Sequence, residues 1–417
     1  MVAPRFAFGI LLTGALVFLT SCGDMESSNP LDPRNESTNG SPPGFDVVAL
    51  DTRTELRWSP LRLEDLTGYN VYRRQGGSGT FVLLGGSPYS SALGSTIDSL
   101  LSNGTTYYYR LVPVIKGYGE GTPSPLLPAT PGPHFAVVAD AMAGTVTKFS
   151  ADMRASVWTA GGFYYPFAAA SDGERLWLTD LYGGVICLEA DGKILWSNPD
   201  FILPLAISLS ADGTSAVADF NRGTVTVLSP QGEPQTIISQ ELSTPASVSF
   251  GRGGEIWVAD PGSGIVNKYS TDGNLLCSFG GSAQPRFLDA DTSDGTCWVV
   301  DAESKEVIKL SSDAEEIFRV DSFSKPGPLA VDNKNGGCWI SDSAAEEIVR
   351  VSDNGELLFR IGKVGRVVSV HVSPDDGGVW LADAGGDRIL VLSPGGSIVF
   401  FINLPSPPSS ITVVGAS

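Results

Sequence analysis

The chain repeats a short apolar segment that ends in aspartate seven times, at an almost constant interval. Successive aspartates are separated by 40, 39, 41, 41, 41 and 41 residues, and five of the seven follow a tryptophan by three positions. The aspartates are Asp140, Asp180, Asp219, Asp260, Asp301, Asp342 and Asp383, and the tryptophans are Trp177, Trp257, Trp298, Trp339 and Trp380. A period of about 40 residues in a β-patterned chain is typical of propeller blades, small sheets that stack on their neighbours to bury their faces. The sequence therefore predicts an all-β fold built largely from repeated sheets.

The strand pattern inside the repeats indicates how the ring of blades closes. Residues 328–361 contain four strand-like runs separated by turns, and glycine in the late turn supplies a positive φ without a Cβ clash. The first aspartate has no inner strand before it, because Pro131-Gly132-Pro133 interrupts the chain, whereas residues 410–414 form an extra strand after the seventh repeat. We therefore expect residues 410–414 to complete the first blade, which gives a seven-bladed β-propeller with a one-plus-three closure. A six-bladed propeller is the alternative.

The repeat also resembles a known class of propellers. The sequence WVAD at 257–260, with Asp272-Gly273 in the late turn and Phe279-Gly280 after it, resembles NHL-type repeats and related bacterial propellers. The resemblance covers residues 134–417 and implies blade architecture without implying a particular chemistry. Many NHL-like relatives have six blades, which keeps the six-bladed alternative open.

An earlier segment, residues 42–131, shows seven short candidate strands at the spacing of a β-sandwich. Trp58 is predicted to fill the core between its sheets, and Leu101 precedes Tyr107 by six residues, as in a tyrosine corner. The segment resembles fibronectin type III domains over its whole length, and this implies a spacer or adhesive module. It contains no cysteine, which excludes an antibody-type disulfide.

The N-terminal residues predict export and lipid anchoring. Arg5 precedes the apolar run Phe6–Leu19, which is too short to span a membrane as a mature helix. The sequence LTSC at 19–22 resembles the lipobox of bacterial lipoproteins. That resemblance implies a signal peptide at residues 1–21 and a lipid anchor on Cys22, which makes the membrane a partner of the chain. The alternative is an ordinary secretory signal with an incidental cysteine.

The polar residues that follow predict a flexible tether. Residues 22–41 contain almost nothing to bury and several residues that interrupt regular structure. We expect this tether to hold the folded part at a membrane of the bacterial cell envelope, on the periplasmic or the cell-surface side. Acyl chains contribute about 0.8 kcal/mol per buried methylene, so several chains are expected to hold the protein firmly.

Composition and motifs limit the chemistry available to the chain. A net charge of -19 and a pI of about 4.4 argue against a nucleic-acid partner, because phosphates require a basic surface. His134 and His371 are the only histidines, too few for a histidine-based zinc site, and no metal site is predicted. Residues 289–295 carry three aspartates at spacings unlike an EF-hand, so a turn is preferred. No cofactor is predicted, and calcium stays possible.

One face of the predicted propeller collects aromatic and cationic residues. Loops that follow the second strand of a blade share this face with the loops that join one blade to the next. Aromatic and arginine side chains on one rim of an acidic protein suit recognition of a ligand. The predicted ligand-binding residues are Tyr164, Tyr165, Phe201, Arg222, Arg286, Lys325, Arg366 and Arg388.

The functional prediction keeps two classes open. We favour a non-catalytic binding or scaffold protein of the cell envelope that recognises a protein or glycan ligand through this face. The alternative is a metal- or calcium-assisted hydrolase or lyase with carboxylates lining the propeller channel, as a resemblance to gluconolactonase-type propellers implies. The sequence contains no nucleophile elbow, phosphate loop or metalloprotease motif, and no catalytic residues are predicted. The binding protein is therefore preferred.

Overall fold

The computed structural model describes residues 29–35, 38–374 and 377–415. All regular structure in these ranges is β-strand, in agreement with the predicted all-β class. These ranges also hold no helix that is long and apolar enough to cross a membrane. The predicted signal peptide at residues 1–21 and the predicted lipidation site Cys22 lie outside the described residues.

The N-terminal strands form two sheets packed against each other. These strands are β1 (Asp46–Leu50), β2 (Arg53–Arg57), β3 (Leu66–Gln75), β4 (Val82–Ser90), β5 (Ser95–Ser99), β6 (Tyr107–Ile115), β7 (Gly119–Glu120) and β8 (Leu127–Ala129). The first sheet has the order β1-β2-β5, and the second has the order β4-β3-β6-β7 with β8 paired to β6. Apolar side chains from both sheets share one core, so the unit is a sandwich.

Trp58 lies in the core of this sandwich, as its position in the sequence predicts. Its side chain is buried, and its ring centroid is 5.8 Å from that of Tyr69. The hydrogen bond of the predicted tyrosine corner is present, because the Ser102 N–H donates to the Tyr107 hydroxyl at 3.1 Å. Burial of these large rings in the shared core stabilises the sandwich.

The segment before the sandwich differs from the predicted flexible tether. Leu31 is only 7% exposed and packs in the sandwich core. The Ser41 hydroxyl donates to the carbonyl of Pro123 at 3.0 Å, which attaches the end of the segment to the same unit. Over the described part of residues 22–41, the structure therefore has an attached segment in place of a tether, because one apolar side chain finds a place in the core.

The remaining strands form seven four-stranded sheets in the described residues. The first fourteen are β9 (His134–Asp140), β10 (Thr145–Phe149), β11 (Ser156–Gly161), β12 (Pro166–Ser171), β13 (Leu176–Asp180), β14 (Gly184–Leu188), β15 (Ile194–Asn198), β16 (Pro204–Leu209), β17 (Ser215–Asp219), β18 (Thr224–Leu228), β19 (Pro234–Ile238), β20 (Ser247–Phe250), β21 (Ile256–Asp260) and β22 (Ile265–Tyr269). The others are β23 (Leu275–Phe279), β24 (Pro285–Ala290), β25 (Cys297–Asp301), β26 (Glu306–Leu310), β27 (Glu316–Val320), β28 (Pro326–Val331), β29 (Cys338–Asp342), β30 (Glu347–Val351), β31 (Leu357–Gly362), β32 (Val367–Val372), β33 (Val379–Asp383), β34 (Arg388–Leu392), β35 (Ile398–Asn403) and β36 (Ser410–Gly415). One sheet has the order β11-β10-β9-β36, and each of the others takes four consecutive strands, from β12–β15 to β32–β35.

The innermost strands close these sheets into a ring. In the order β12, β16, β20, β24, β28, β32 and β36, each strand contacts the next, and β36 contacts β12. β36 pairs with β9 from Ser410 opposite Ala139 to Gly415 opposite His134. The predicted pairing of residues 410–414 with the first repeat is therefore present, and it joins the two ends of the ring.

The repeated tryptophans fill the space between neighbouring sheets. Trp298, for example, is fully buried in β25 and packs in a cluster with Leu329 and Cys338 of the next sheet. The ring of Phe318 approaches it edge-on, with centroids 5.5 Å apart. A feature that the sequence did not predict is a cation over the same ring. The Lys309 ammonium lies 5.4 Å from the Trp298 centroid although Lys309 is itself buried.

Candidate functional site

Most of the repeated aspartates hold two loops on the same side of the ring. Asp180, at the end of β13, accepts the N–H groups of Tyr164 at 2.7 Å and Tyr165 at 2.9 Å. It also accepts the N–H of Tyr182 at 3.2 Å. One carboxylate thus joins the loop that enters the sheet to the loop that follows β13. The sequence predicts that an aspartate at the end of a strand accepts hydrogen bonds from the amides of the following loop, and the Tyr182 contact is such a bond. The contacts with the preceding loop were not predicted.

The same arrangement recurs around the ring. Asp301 accepts the N–H groups of Ala283 at 2.7 Å and Gln284 at 3.1 Å from one loop, and that of Ser304 at 3.2 Å from the other. Burial acts to raise the pKa of Asp301, but these hydrogen bonds outweigh it and hold the pKa below its ordinary value. The carboxylates bonded to the preceding loop are Asp180, Asp219, Asp260, Asp301, Asp342 and Asp383. The loops on this side, named the loop face, are therefore held by buried charge-assisted hydrogen bonds.

The loop face lies at the opposite end of the first sheet from the sandwich. β9 ends at Asp140 on the loop face and begins beside Gly132, whose N–H donates to the Leu50 carbonyl at 3.2 Å. The N–H of Ala151, which follows β10, donates to the Ala49 carbonyl at 3.1 Å. Strand β9 spans about 20 Å at the usual rise per residue. The sandwich therefore leaves this face of the first sheet uncovered.

Large apolar and aromatic side chains form an exposed arc on the loop face. Met142, Tyr164 and Tyr182 are 77%, 74% and 75% exposed, and Ile202 is 53% exposed. The ring of Tyr165 stands edge-on to that of Tyr182, with centroids 6.3 Å apart. These five residues are named the aromatic arc. Exposed apolar side chains grouped on one face are typical of an interaction site.

The loops that carry the aromatic arc contact one another in chain order. The Phe163 N–H donates to the Gly144 carbonyl at 3.2 Å, and the Leu181 N–H donates to the Tyr165 carbonyl at 3.1 Å. A Cβ on Gly184, whose φ is 87°, would lie 2.1 Å from the carbonyl oxygen of Asn198, where the loop that carries Ile202 begins. Only glycine permits this approach. The loops that carry the arc therefore lie side by side.

Comparison with known proteins finds the ring of sheets in solved structures. No protein-family profile matches the chain, and no curated protein matches it. A 6-phosphogluconolactonase-like protein from Bacteroides fragilis is 14% identical, with a TM-score of 0.56 over 68% of this chain and 98% of that chain. A functionally unknown protein from Desulfotomaculum acetoxidans is 11% identical, with a TM-score of 0.57 over 68% and 99%. A streptogramin B lyase is 16% identical, with a TM-score of 0.53 over 59% and 86%.

The ring of sheets is a β-propeller. At identities this low, the similarity shows the fold alone, and the activities in those names do not transfer to this chain.

The structure brings together only part of the predicted ligand-binding set. Tyr164 and Tyr165 belong to the aromatic arc. Phe201 is half-buried against a small cluster that includes Val185 and Trp196, so less of its ring is open to a ligand than the rings of Tyr164 and Tyr182.

Two of the predicted arginines hold loops in place. The Arg222 guanidinium donates to the Asp200 carbonyl at 2.7 Å. The Arg388 guanidinium donates to the Asp383 carboxylate at 2.8 Å and to the Lys363 carbonyl at 2.7 Å. Part of the hydrogen-bonding capacity of these two side chains is therefore used within the protein. The other three predicted cations are exposed, and they are Arg286, Lys325 and Arg366. They lie at or beside the starts of β24, β28 and β32, on sheets that carry no residue of the aromatic arc.

Sequence analysis missed three members of the aromatic arc. Tyr182 and Met142 both stand two positions after a repeated aspartate, and Ile202 lies in the loop before β16. A comparison of that position across the repeats singles out the first two, because no other repeat has a large apolar residue there. The equivalent residues in the other repeats are Asn221, Gly262, Glu303, Ala344 and Gly385.

Among the inner strands, Asp289 links three blades. Its two carboxylate oxygens accept the Ser249 hydroxyl of β20 and the Val331 N–H of β28, both at 3.0 Å. Burial raises the pKa of Asp289 to about 6 despite these hydrogen bonds. Burial and the neighbouring His134 lower the pKa of His371 to about 4, and its Nε2 has no hydrogen-bond partner in the described part of the chain. Asp289 is thus engaged on both oxygens, which leaves it poorly placed as a general base.

The raised pKa of Asp289 predicts a pH-dependent contribution to stability. The folded state favours the protonated carboxyl, so this contribution is fully present below the ordinary pKa of 3.8 and is lost as the pH rises through about 6. The stability of Asp289→Asn relative to the wild type is therefore expected to improve between pH 4 and 7, by roughly 2–3 kcal/mol. Urea unfolding at several pH values measures the difference. The exposed turn variant Asp272→Asn is the control, and an equal pH response in the two variants would contradict the prediction.

One group of carboxylates on the other side of the propeller has the spacing of a metal site. Asp291, Asp294 and Asp353 each offer an oxygen within 4.8 Å of the others. The Lys309 ammonium contacts Asp294 at 3.4 Å and also contacts Asp353, so a positive charge already compensates two of the three. The Gly295 N–H donates to the Asp291 carbonyl at 2.8 Å, as the preferred turn at residues 289–295 requires. This geometry disfavours a calcium ion at the trio.

Proposed function

We propose that this protein is a non-catalytic binding protein of the bacterial cell envelope, attached to a membrane by lipid on Cys22. Its propeller presents the aromatic arc to a ligand. The observation that carries the proposal is the exposure of Tyr164 and Tyr182 on loops joined by the carboxylate of Asp180. Tyrosine and methionine are enriched at binding surfaces, and side chains on ordered loops lose less conformational entropy on binding.

The proposed architecture combines a fibronectin type III spacer at residues 42–131 with a seven-bladed propeller at residues 134–417. The two-sheet arrangement and the Ser102–Tyr107 hydrogen bond support the spacer. The ring of innermost strands supports seven blades, with a one-plus-three closure through β36. In this arrangement the spacer keeps the loop face clear for recognition.

The proposed ligand is a protein or a glycan of the envelope. Tyrosine rings offer flat apolar faces to sugar rings or apolar side chains, and their hydroxyl groups supply hydrogen bonds at the edge. The net charge of -19 opposes binding of nucleic acid. The alternative, a metal- or calcium-assisted hydrolase or lyase, has weaker support because Asp289 is hydrogen-bonded on both oxygens and Lys309 compensates the acidic trio.

The proposal is tested by removing the two most exposed rings of the arc. The variant Tyr164→Ala/Tyr182→Ala is expected to lose about 10- to 100-fold in affinity for its envelope ligand, since aromatic residues at the centre of an interface contribute most of the binding energy. Capture from solubilised envelope, followed by titration of the captured component, measures the loss. Protease or periodate treatment of the extract separates a protein ligand from a glycan.

A variant on the outer strands provides the matched control. Leu276, Ile317 and Leu358 are 56%, 51% and 51% exposed on β23, β27 and β31, away from the loop face. Their simultaneous replacement by alanine removes a similar apolar surface and is expected to leave capture unchanged. Equal capture by the wild type and the double tyrosine variant would reject the arc as the binding site.

A further inference from the structure

The end of the sandwich farther from the propeller carries an exposed hairpin tip between β6 and β7. Tyr107 at the start of β6 pairs with Ala129, just before the linker to the propeller, so the tip lies at the other end of the strand. Tyr118 at the tip is 91% exposed. Gly117 and Gly119 flank it with φ values of 77° and 87°, and a Cβ on either would meet nothing within 4 Å. The tip therefore projects into open space with an amphipathic ring at its end.

The N-terminal segment contacts the sandwich near the same end. The Ser41 hydroxyl donates to the Pro123 carbonyl at 3.0 Å, just after β7. Close by, the Gly121 N–H donates to the Pro113 carbonyl at 2.8 Å, near the end of β6 that leads to the tip. The chain that leads to Cys22 thus reaches the sandwich within a few residues of the hairpin.

The length of chain before the described residues limits how far the sandwich can stand from an anchor. Cys22 and Asn29 are 29 − 22 = 7 residues apart. At a maximum of about 3.6 Å per residue, they are separated by no more than about 25 Å. Because the segment from Asn29 onward is attached to the sandwich, a lipid on Cys22 keeps the whole sandwich close to the bilayer.

We propose that the Tyr118 tip rests in the headgroup region of the bilayer that holds the lipid anchor. This inference rests on the proposed anchoring through Cys22. A tyrosine ring suits that region because its apolar face meets the acyl chains while its hydroxyl stays among the polar headgroups. Lys116, beside the tip, is exposed and forms no ion pair with a described residue, so its ammonium is available to lipid phosphates. The lipid and the tip together are two contacts that orient the sandwich on the surface.

Depth-dependent quenching tests the tip. The full-length lipidated protein, carrying Tyr118→Cys with a fluorescent label, is placed in vesicles of phosphatidylethanolamine and phosphatidylglycerol with a nitroxide quencher at headgroup depth. Cys277→Ser removes the one described cysteine that is not buried. The matched control is a label at Leu100→Cys, which is 96% exposed but lies near the propeller, where Leu101 bonds to Thr52 at 2.8 Å. We expect quenching at position 118 to be at least threefold stronger than at position 100.

Flotation of the same vesicles separates the two proposals. If the protein floats with the vesicles, the Cys22→Ser variant does not, and the label at position 118 is quenched selectively, the inference is supported. If the protein floats but quenching is equal at positions 118 and 100, the proposed position of the tip in the headgroup region is wrong, while the proposed lipid anchor is unaffected. Loss of flotation in the protein that retains Cys22 would overturn the anchor, and the inference with it.

Discussion

Removal of residues 405–417 is expected to lower the free energy of unfolding of the propeller by more than about 5 kcal/mol. The truncation removes β36, which is the innermost strand of its sheet and contacts β32 and β12 on either side. Ile411 and Val414 are both buried, and loss of one large buried aliphatic side chain costs about 2–5 kcal/mol. The Ser409 hydroxyl bond to the Pro166 carbonyl at 2.6 Å, which spans the closure, is lost as well. Thermal unfolding followed by circular dichroism measures the effect.

A matched truncation and a peptide make this test specific to closure. Removal of only residues 416–417 leaves β36 intact and is expected to leave the melting temperature unchanged. A synthetic peptide of residues 405–415 is expected to restore part of the stability, because its strand can pair again with β9. A melting temperature within two degrees of the wild type after the longer truncation would show that closure through β36 contributes little.

Replacement of Trp298 by alanine is expected to cost about 3–5 kcal/mol of unfolding free energy. The indole is fully buried between two blades and contacts the ring of Phe318 at 5.5 Å between centroids. Its removal leaves a cavity and deprives the buried Lys309 ammonium of the aromatic face below it. Equilibrium unfolding in guanidinium chloride measures the loss.

A double-mutant cycle separates the cation contact from the cavity. Trp298→Phe, Lys309→Met and the double variant are expected to give a coupling of about 1 kcal/mol. Trp380→Ala serves as the comparison, because Phe400 stands edge-on to that ring at 5.9 Å while Val391 faces it on the neighbouring strand in place of a cation. A coupling near zero in the Trp298–Lys309 cycle would mean that the cation is held only by its carboxylate partners.

Periodicity alone was sufficient to predict most of the propeller. The four strand-like runs predicted within residues 328–361 correspond to four strands of one sheet, from β28 to β31. The reason is physical: each blade buries the same faces against its neighbours, so the same alternation and the same turn glycines must recur. The closing strand at residues 410–414 was predicted because the first repeat lacks an inner strand and one strand remains after the seventh repeat.

Burial that depends on distant residues was not predicted. Leu31 stands in a polar segment, and its place in the sandwich core is set by strands far along the chain. The half-burial of Phe201 was not predicted for a similar reason, since a loop pattern does not show which ring turns inward. Lys309 was not recognised as buried because the strand pattern does not reveal the carboxylate of Asp353, which comes from the next blade. The burial of such residues can be recognised only in the folded structure, where distant parts of the chain come together.

The hydrogen bonds from loop amides to the repeated aspartates have a consequence for how this protein can vary. Asp180 and its equivalents bind main-chain N–H groups, which every residue except proline provides. The side chains of the loops are therefore free to change while the carboxylates keep the same backbone path. Proline at position 164 or 165 would remove a donor and detach the loop. A library that randomises the side chains at positions 142, 164, 182 and 202, with proline excluded, would sample new specificities on an unchanged frame.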